Sequence, residues 1–200
     1  METVLNYPLQ INFKVLAIAQ QLSLTDAAGQ LIFYVKQKAF KLKEAVTIFA
    51  DEAQQRPWFY INADRVIDFR ANYSFTDTSG KPFGSMRRLG KKSIWRAHYE
   101  IFDGQQPQPV AIIKEENPWT KVFDALLGEI PLLGIFTGYM FHPSYLITRI
   151  DGMPFMRLKK QSSFVGRRFK IDKLADLDQT SELRILVGVM MMVLLERARG

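Results

Sequence analysis

The side chains in this sequence that most often carry proton transfer or metal ligation are two histidines and a few pairs of adjacent acids. His98 lies in the strand-like stretch RAHYEIF, His142 lies in the turn-like stretch FHPS, and the chain has no cysteine. A zinc site needs several such ligands at matched spacings. Adjacent acids, such as Asp51 and Glu52, point to opposite faces of a strand or lie in turns. We therefore expect structural histidines, turn carboxylates and no metal site.

A further stretch, GSMRRLGKKS at residues 84–93, resembles a phosphate-binding loop. However, the spacing between Gly84 and Gly90 is one residue too long, and the stretch lies between two strand-like segments rather than before a helix. The motifs of nucleophile elbows, zinc proteases and dinucleotide-binding folds are absent from the sequence. The sequence therefore predicts a protein that is not an enzyme and that needs no cofactor.

Basic residues are the charged side chains with the most regular placement. Each of three basic runs follows a turn glycine, namely Gly29, Gly80 or Gly152. If these runs are the tips of hairpins in one barrel, they gather at one end, where their positive potential would attract phosphate groups or anionic lipid. The alternative is that lysine and arginine protect exposed strand ends from pairing with other chains. The candidate anion-binding residues are Lys36, Lys38, Arg87, Arg88, Lys91, Lys92, Arg157, Lys159 and Lys160.

The net charge of +7 agrees with an anionic partner. Nucleic acid would need exposed aromatic side chains among the basic ones, and only Phe40 and Trp95 lie nearby, so we rank it below an anionic phospholipid surface. The N-terminal stretch METVLNYPLQINFK has no apolar run of signal-peptide length, so export by that route is not expected. These features predict a cytoplasmic protein that associates peripherally with a membrane.

Short apolar stretches of strand length, such as FKVLAIAQ, QLIFYVK and RVIDF, recur along most of the chain. Between many of them stands an Asp followed shortly by a Gly, as in TDAAGQ, TDTSGK, FDGQ and IDGMP. Asp accepts hydrogen bonds from turn amides and Gly supplies a positive φ, so each pair predicts a hairpin turn. We expect about twelve antiparallel strands in one domain over residues 1–200, closed or split into two sheets to protect the edges.

The segment SELRILVGVMMMVLLERARG, residues 181–200, is apolar without interruption from Ile185 to Leu195. As a helix this run rises about 16 Å, roughly half of a hydrocarbon core about 30 Å thick, so no transmembrane segment is expected. Apolarity on every side is also incompatible with a surface helix. We therefore predict a central helix over residues 181–199 inside a closed sheet, with Gly188 allowing close approach to the wall.

Residues 116–144 interrupt the strand pattern. Asn117 and Pro118 are typical of a helix start, and IPLLGIFTGYMF is an uncharged apolar stretch, so we predict a helix followed by an apolar loop. Such a loop, if exposed, marks a membrane or partner contact. The alternatives are a lid packed on the barrel and a homodimer interface built by residues 119–141. The candidate contact residues are Leu132, Leu133, Ile135, Phe136, Tyr139 and Phe141.

Two segments repeat one pattern, from a basic strand to an Ile-Phe-Asp strand end: YVKQKAFKLKEAVTIFADE and SMRRLGKKSIWRAHYEIFDG. This pattern resembles the LURP-one-related family, whose members are similar to the Tubby C-terminal domain and the phospholipid scramblases. The resemblance implies a mainly β fold, a closed barrel of about twelve strands around a central hydrophobic C-terminal helix. It adds scramblase-like lipid handling as a further alternative, although the chain has no cysteine to palmitoylate and no acidic calcium segment before that helix.

Overall fold

The computed structural model describes residues 4–15, 19–38, 45–64, 71–89, 98–116, 144–161 and 167–198. Within these ranges the chain forms twelve β-strands and a C-terminal helix. The elements are β1 (Leu9–Val15), β2 (Ala19–Thr25), β3 (Leu31–Lys38), β4 (Ala45–Phe49), β5 (Pro57–Ala63), β6 (Asn72–Asp77), β7 (Pro82–Arg88), β8 (His98–Phe102), β9 (Ala111–Glu115), β10 (Ser144–Thr148), β11 (Pro154–Gln161), β12 (Arg167–Lys173) and the helix α1 (Gln179–Ala198).

The twelve strands form one closed antiparallel barrel in which each strand pairs with its neighbours in sequence. The ring closes where β1 pairs with β12, with Leu9 opposite Ile171 and Ile11 opposite Phe169. Closure gives each strand a partner on both sides, which protects the sheet from pairing with other chains. The predicted mainly β fold, a closed barrel around a C-terminal helix, is confirmed.

Side chains alternate between the barrel interior and the outer wall, because successive residues of a strand point to opposite faces. In β7, for example, Met86 and Arg88 are buried whereas Arg87 is exposed. The inward positions are almost all apolar, and burial of this surface is the main force that holds the barrel together. Fully buried wall residues include Leu9, Ile11, Leu22, Leu24, Phe33, Ile48, Ile61, Phe75, Met86, Tyr99, Ile101, Ile113, Ile147, Met156, Leu158 and Ile171.

The helix α1 fills the space that these side chains surround. Every residue from Ile185 to Leu195 is buried, which explains why the run is apolar on all sides. Gly188 lies directly against the wall, since a Cβ at this position would stand 2.6 Å from Cδ1 of Ile101. The close approach predicted at Gly188 is therefore confirmed, and the helix begins two residues before the predicted residue 181.

The N-terminal end of α1 is fixed by a cap and by contacts with the barrel. The N–H of Ser181 donates to the Asp178 carboxylate at 2.9 Å, so Asp178 is the N-cap. Glu182, which is buried, accepts a hydrogen bond from the Tyr7 hydroxyl at 3.0 Å and pairs with Lys173 at 3.1 Å. These contacts join the helix to the segment before β1 and to the end of β12.

The predicted Asp–Gly turns are present. The glycines at positions 29, 80, 104 and 152 have φ angles from 81° to 91°, a region that residues with a Cβ rarely adopt. In each turn the Asp side chain accepts a main-chain N–H two residues further on, at Ala28, Ser79, Gln105 and Met153. A related turn follows β4, where Asp51 accepts from Gln55 and Arg56, and Gln54 has the positive φ.

Some predicted elements differ from the structure or lie outside it. The stretch FKVLAIAQ was predicted as one strand, but it spans parts of two. Strand β1 runs from Leu9 to Val15, and β2 begins at Ala19. The insertion was predicted over residues 116–144, and Ser144 belongs to β10. The stretch RVIDF and residues 117–143 of the insertion lie outside the described residues, so what was predicted for them stays a prediction.

Candidate anion-binding site

The meander gives the barrel two ends of different charge. The Asp turns all join an even-numbered strand to the next odd-numbered one, so they lie together at the end where α1 begins, here called the acidic end. Hydrogen bonds favour the ionised form of two of these acids: the Ser79 side chain holds the pKa of Asp77 below its usual range, and the N–H of Gln105 does the same for the pKa of Asp103. The opposite end, where α1 finishes, is here called the basic end.

The basic end carries several of the predicted anion-binding residues. Lys36 is exposed near the end of β3, and Lys159 is exposed near the end of β11 with the half-buried Lys160 beside it. The backbone of Lys38 ends β3 at the same place, but its side chain lies outside the description. The antiparallel topology therefore brings these sequence-distant strand ends to one end of the barrel. Lys91 and Lys92, in the connection from β7 to β8, lie outside the described residues.

Arg87 lies on the outer wall and its charge is compensated. Its guanidinium donates to the Glu100 carboxylate at 2.6 Å, directly across the ladder between β7 and β8. It also stands 4.9 Å from the centroid of the Phe102 ring. This arrangement is a cross-strand pair that stabilises the sheet. Arg87 therefore offers less free positive charge than an unpaired lysine.

Arg88 points into the barrel, because it shares the face of Met86. It is 7% exposed, its guanidinium lies 3.7 Å from Glu196 of α1, and it stands 5.5 Å from the centroid of the Tyr99 ring. The Tyr99 hydroxyl also donates to Glu196, and burial followed by the Glu196 charge raises the pKa of Tyr99. Arg88 therefore fixes the C-terminal part of α1 and is not an exposed cation of the rim.

Arg157 is half-buried on the outer wall of β11. Its guanidinium pairs with Glu116 at 3.1 Å, and the other oxygen of that carboxylate accepts a hydrogen bond from the Ser144 hydroxyl. These contacts connect β11 to Glu116, the residue after β9, and to Ser144, the first residue of β10. Like Arg87, Arg157 has its charge compensated by a specific acid.

Sequence reasoning missed several basic residues near the basic end, among them three that lie on β1 and β12. Lys14 on β1 and Arg168 on β12 are exposed, and Lys170 on β12 is half-buried. They become neighbours because β1 closes the barrel on β12, a pairing between the two ends of the sequence. No local motif connects them. Alternation is the signal that could have found Lys170, which occupies a polar position between the apolar, inward-facing Phe169 and Ile171.

The described residues give no support for a metal centre. His98 is half-buried at the start of β8, and within the described ranges no group of three or more His, Asp or Glu residues could hold a metal ion. His142 and the six candidate contact residues of the insertion, Leu132, Leu133, Ile135, Phe136, Tyr139 and Phe141, lie outside those ranges. In the part of the chain that is described, no helix combines the length and apolarity needed to cross a membrane.

Comparison with known proteins identifies the family. Searches of curated proteins and of solved structures give no match. The family model described as LURP-one-related matches residues 31–173, from the start of β3 to the end of β12, which is well over half of the 200 residues. The chain therefore belongs to the LURP-one-related family.

Proposed function

We propose that this protein is a non-enzymatic, Tubby-like binding module that docks on anionic phospholipid at a membrane surface through the exposed cations of its basic end. The observation that carries the proposal is the separation of charge along the barrel. Exposed lysines such as Lys36 and Lys159 lie at one end, and the Asp turns lie at the other. A barrel with this polarity is attracted to a negative surface in one orientation and repelled in the reverse one.

The magnitude of the attraction is sufficient for reversible docking. A lysine or arginine near an anionic leaflet contributes about 1 kcal/mol, and this contribution falls off within a Debye length. Several cations at one end therefore give a useful affinity that depends strongly on salt. Anionic lipids are concentrated in the cytoplasmic leaflet, which makes that leaflet the proposed location.

The interior of the barrel favours binding on the outside. The wall residues and the α1 segment from Ile185 to Leu195 pack against each other as one apolar core. A polar head group entering this core would lose its hydration without gaining equivalent hydrogen bonds. The proposed module therefore uses its outer surface and the tips of its hairpins.

Vesicle co-sedimentation tests the proposal. The wild-type protein is expected to sediment with phosphatidylcholine vesicles that contain phosphatidylserine and to stay in solution with phosphatidylcholine alone. Lys91→Glu combined with Lys92→Glu should weaken sedimentation, because these residues stand in sequence between the end of β7 and the start of β8, which both lie at the basic end.

A matched control is available at the acidic end. Lys81→Glu combined with Arg56→Glu changes the net charge by the same amount, and both residues are exposed in Asp turns. This control should sediment like the wild-type protein. Equal loss in both double variants would mean that net charge alone governs binding, and absence of wild-type binding to anionic vesicles would remove the proposed function.

A further inference from the structure

The outer wall formed by β11, β12, β1, β2 and β3 carries a positive surface that crosses the closure of the barrel. We propose that this surface, here called the basic wall, is the flank that lies against the membrane, an inference that rests on the proposed function. It extends the site from the hairpin tips to the side of the barrel. The basic wall comprises Lys14, Lys36, Lys159, Arg168 and Lys170.

The ladder pairing shows that these residues are neighbours, since residues directly opposite each other in adjacent strands lie side by side. In one row Lys159 of β11 lies opposite Lys170 of β12, which lies opposite Gln10 of β1. In the next row toward the basic end, Arg168 lies opposite Asn12. Arg168 is thus diagonal to Lys159, within reach of long side chains.

A third row completes the surface. Lys14 follows two residues after Asn12 on β1, so it points the same way and lies closer to the basic end. It is opposite Gln21 of β2, which in turn is opposite Lys36 of β3. The three rows therefore form a continuous surface across five strands.

The charge of the basic wall is largely uncompensated. Lys170 pairs with Asp172 at 2.7 Å, and Asp172 occupies the next outward position toward the acidic end. Among the residues that the structure describes, Lys14, Lys36, Lys159 and Arg168 take part in no ion pair. The uncharged partners in these rows are polar and include Gln10, Asn12, Gln21 and Gln161, which can donate hydrogen bonds to phosphate oxygens.

On the opposite side of the barrel, β7 and β8 place opposite charges across the ladder. There Arg87 faces Glu100 across the ladder, a stabilising pair of opposite charges. On the basic wall Lys159 faces Lys170, and like charges directly opposite each other are destabilising. An anionic surface would relieve this repulsion, which makes the arrangement favourable for binding although it is unfavourable for the free barrel.

The dimensions of the basic wall fit an array of head groups better than a single phosphate. Five strands about 4.8 Å apart span about 19 Å, and three rows of outward residues span about 14 Å along the strands. The cations are spread over this area rather than directed at one point. The occupant is therefore the surface of a bilayer that contains anionic phospholipid, bound through its charge density rather than through one particular head group.

Vesicle binding of three double variants with the same change in net charge tests this inference. The wall variant is Lys159→Glu with Arg168→Glu, the tip variant is Lys91→Glu with Lys92→Glu, and the control is Lys81→Glu with Arg56→Glu. Each cation removed from an anionic surface lowers the partition coefficient by about fivefold. The wall variant should therefore lose more than about 25-fold, and the control should stay close to wild type.

The outcomes separate the inference from the proposed function. Suppose that the wild type binds, that the tip variant loses affinity and that the wall variant binds like the control. In that case the assignment of the basic wall is wrong, whereas the proposed function stands. If wild type does not bind anionic vesicles, both are wrong. If the glutamate variant does not fold, Lys159→Gln combined with Arg168→Gln replaces it in the test. Its partition coefficient on anionic vesicles should be about 25-fold lower than that of the wild type.

A competition experiment distinguishes a bilayer from free phosphate. Inorganic phosphate, compared with chloride at the same ionic strength, should not displace the protein from anionic vesicles, because screening is then equal and no single site collects the cations. Displacement by phosphate beyond that caused by chloride would show a discrete phosphate site and would overturn the assignment of a membrane-facing surface.

Discussion

Gly188 approaches the barrel wall so closely that a single methyl group tests the packing of the central helix. A Cβ at position 188 would stand 2.6 Å from Cδ1 and 3.1 Å from Cγ1 of Ile101, which is fully buried in β8. Overpacking of a core costs about 1–3 kcal/mol. Replacing glycine by alanine inside a helix gains about 1 kcal/mol. Gly188→Ala should therefore lower the free energy of unfolding by about 1 kcal/mol, measured by urea denaturation.

A second substitution shows whether the contact with Ile101 is the cause. Ile101→Val removes Cδ1, the nearest atom, and by itself costs about 0.5–1.5 kcal/mol. In that background the new methyl group occupies the vacated space. The gain in helix propensity from glycine to alanine remains, so Gly188→Ala should leave the free energy of unfolding unchanged or raise it. The double-mutant cycle should give a favourable coupling of about 1–2 kcal/mol. Additivity within about 0.3 kcal/mol would refute the reasoning, as would a stabilising Gly188→Ala in the wild-type background.

Two further predictions concern the same helix. Met191 is 1% exposed, so Met191→Asp places a carboxylate in the core at a cost comparable to the whole stability of a domain. Circular dichroism should therefore show an unfolded chain, and a native spectrum would contradict the central position of α1. Asp178→Ala should cost about 1 kcal/mol by removing the N-cap, whereas Asp178→Asn keeps a cap. Hydrogen bonds from Ser181 lower the pKa of Asp178 in the folded protein. The wild-type protein should therefore have a larger free energy of unfolding than the Asn variant above the unfolded pKa of about 3.9. This difference should disappear as the pH falls through the folded pKa. A difference in urea midpoint that stays constant with pH would contradict this.

The fold was predictable from local signals. An apolar run too short to cross a bilayer and apolar on every side has few places to lie except inside a closed sheet, and α1 lies there. The Asp–Gly turns were predictable for the same reason, since Asp103 and Gly104 supply the turn hydrogen bonds and the positive φ within a few residues of sequence. The boundary of β1 was missed because residues 16–18 continue an apolar run that contains no Gly or Pro.

The candidate site was less predictable, because it depends on the direction of side chains and on pairing between distant strands. Arg87 and Arg88 are adjacent in sequence, yet one lies on the outer wall and the other inside the barrel. The alternation with Met86 contained that information, whereas their common charge obscured it. Lys14 and Arg168 lie near opposite ends of the chain, and only the closure of β1 on β12 brings them together. The predicted closure of the barrel implies that its first and last strands pair, but no local pattern gives the register of that pairing.

The central claim is that this barrel docks on membranes by charge, and the partition of the wild-type protein onto vesicles tests it most directly. The measurement raises the mole fraction of phosphatidylserine at fixed salt, and then raises the salt at a fixed lipid composition. The account predicts binding that increases steeply with anionic lipid and decreases as salt screens the cations. Equal binding to neutral and anionic vesicles, binding that is insensitive to salt, or no binding at all would contradict it.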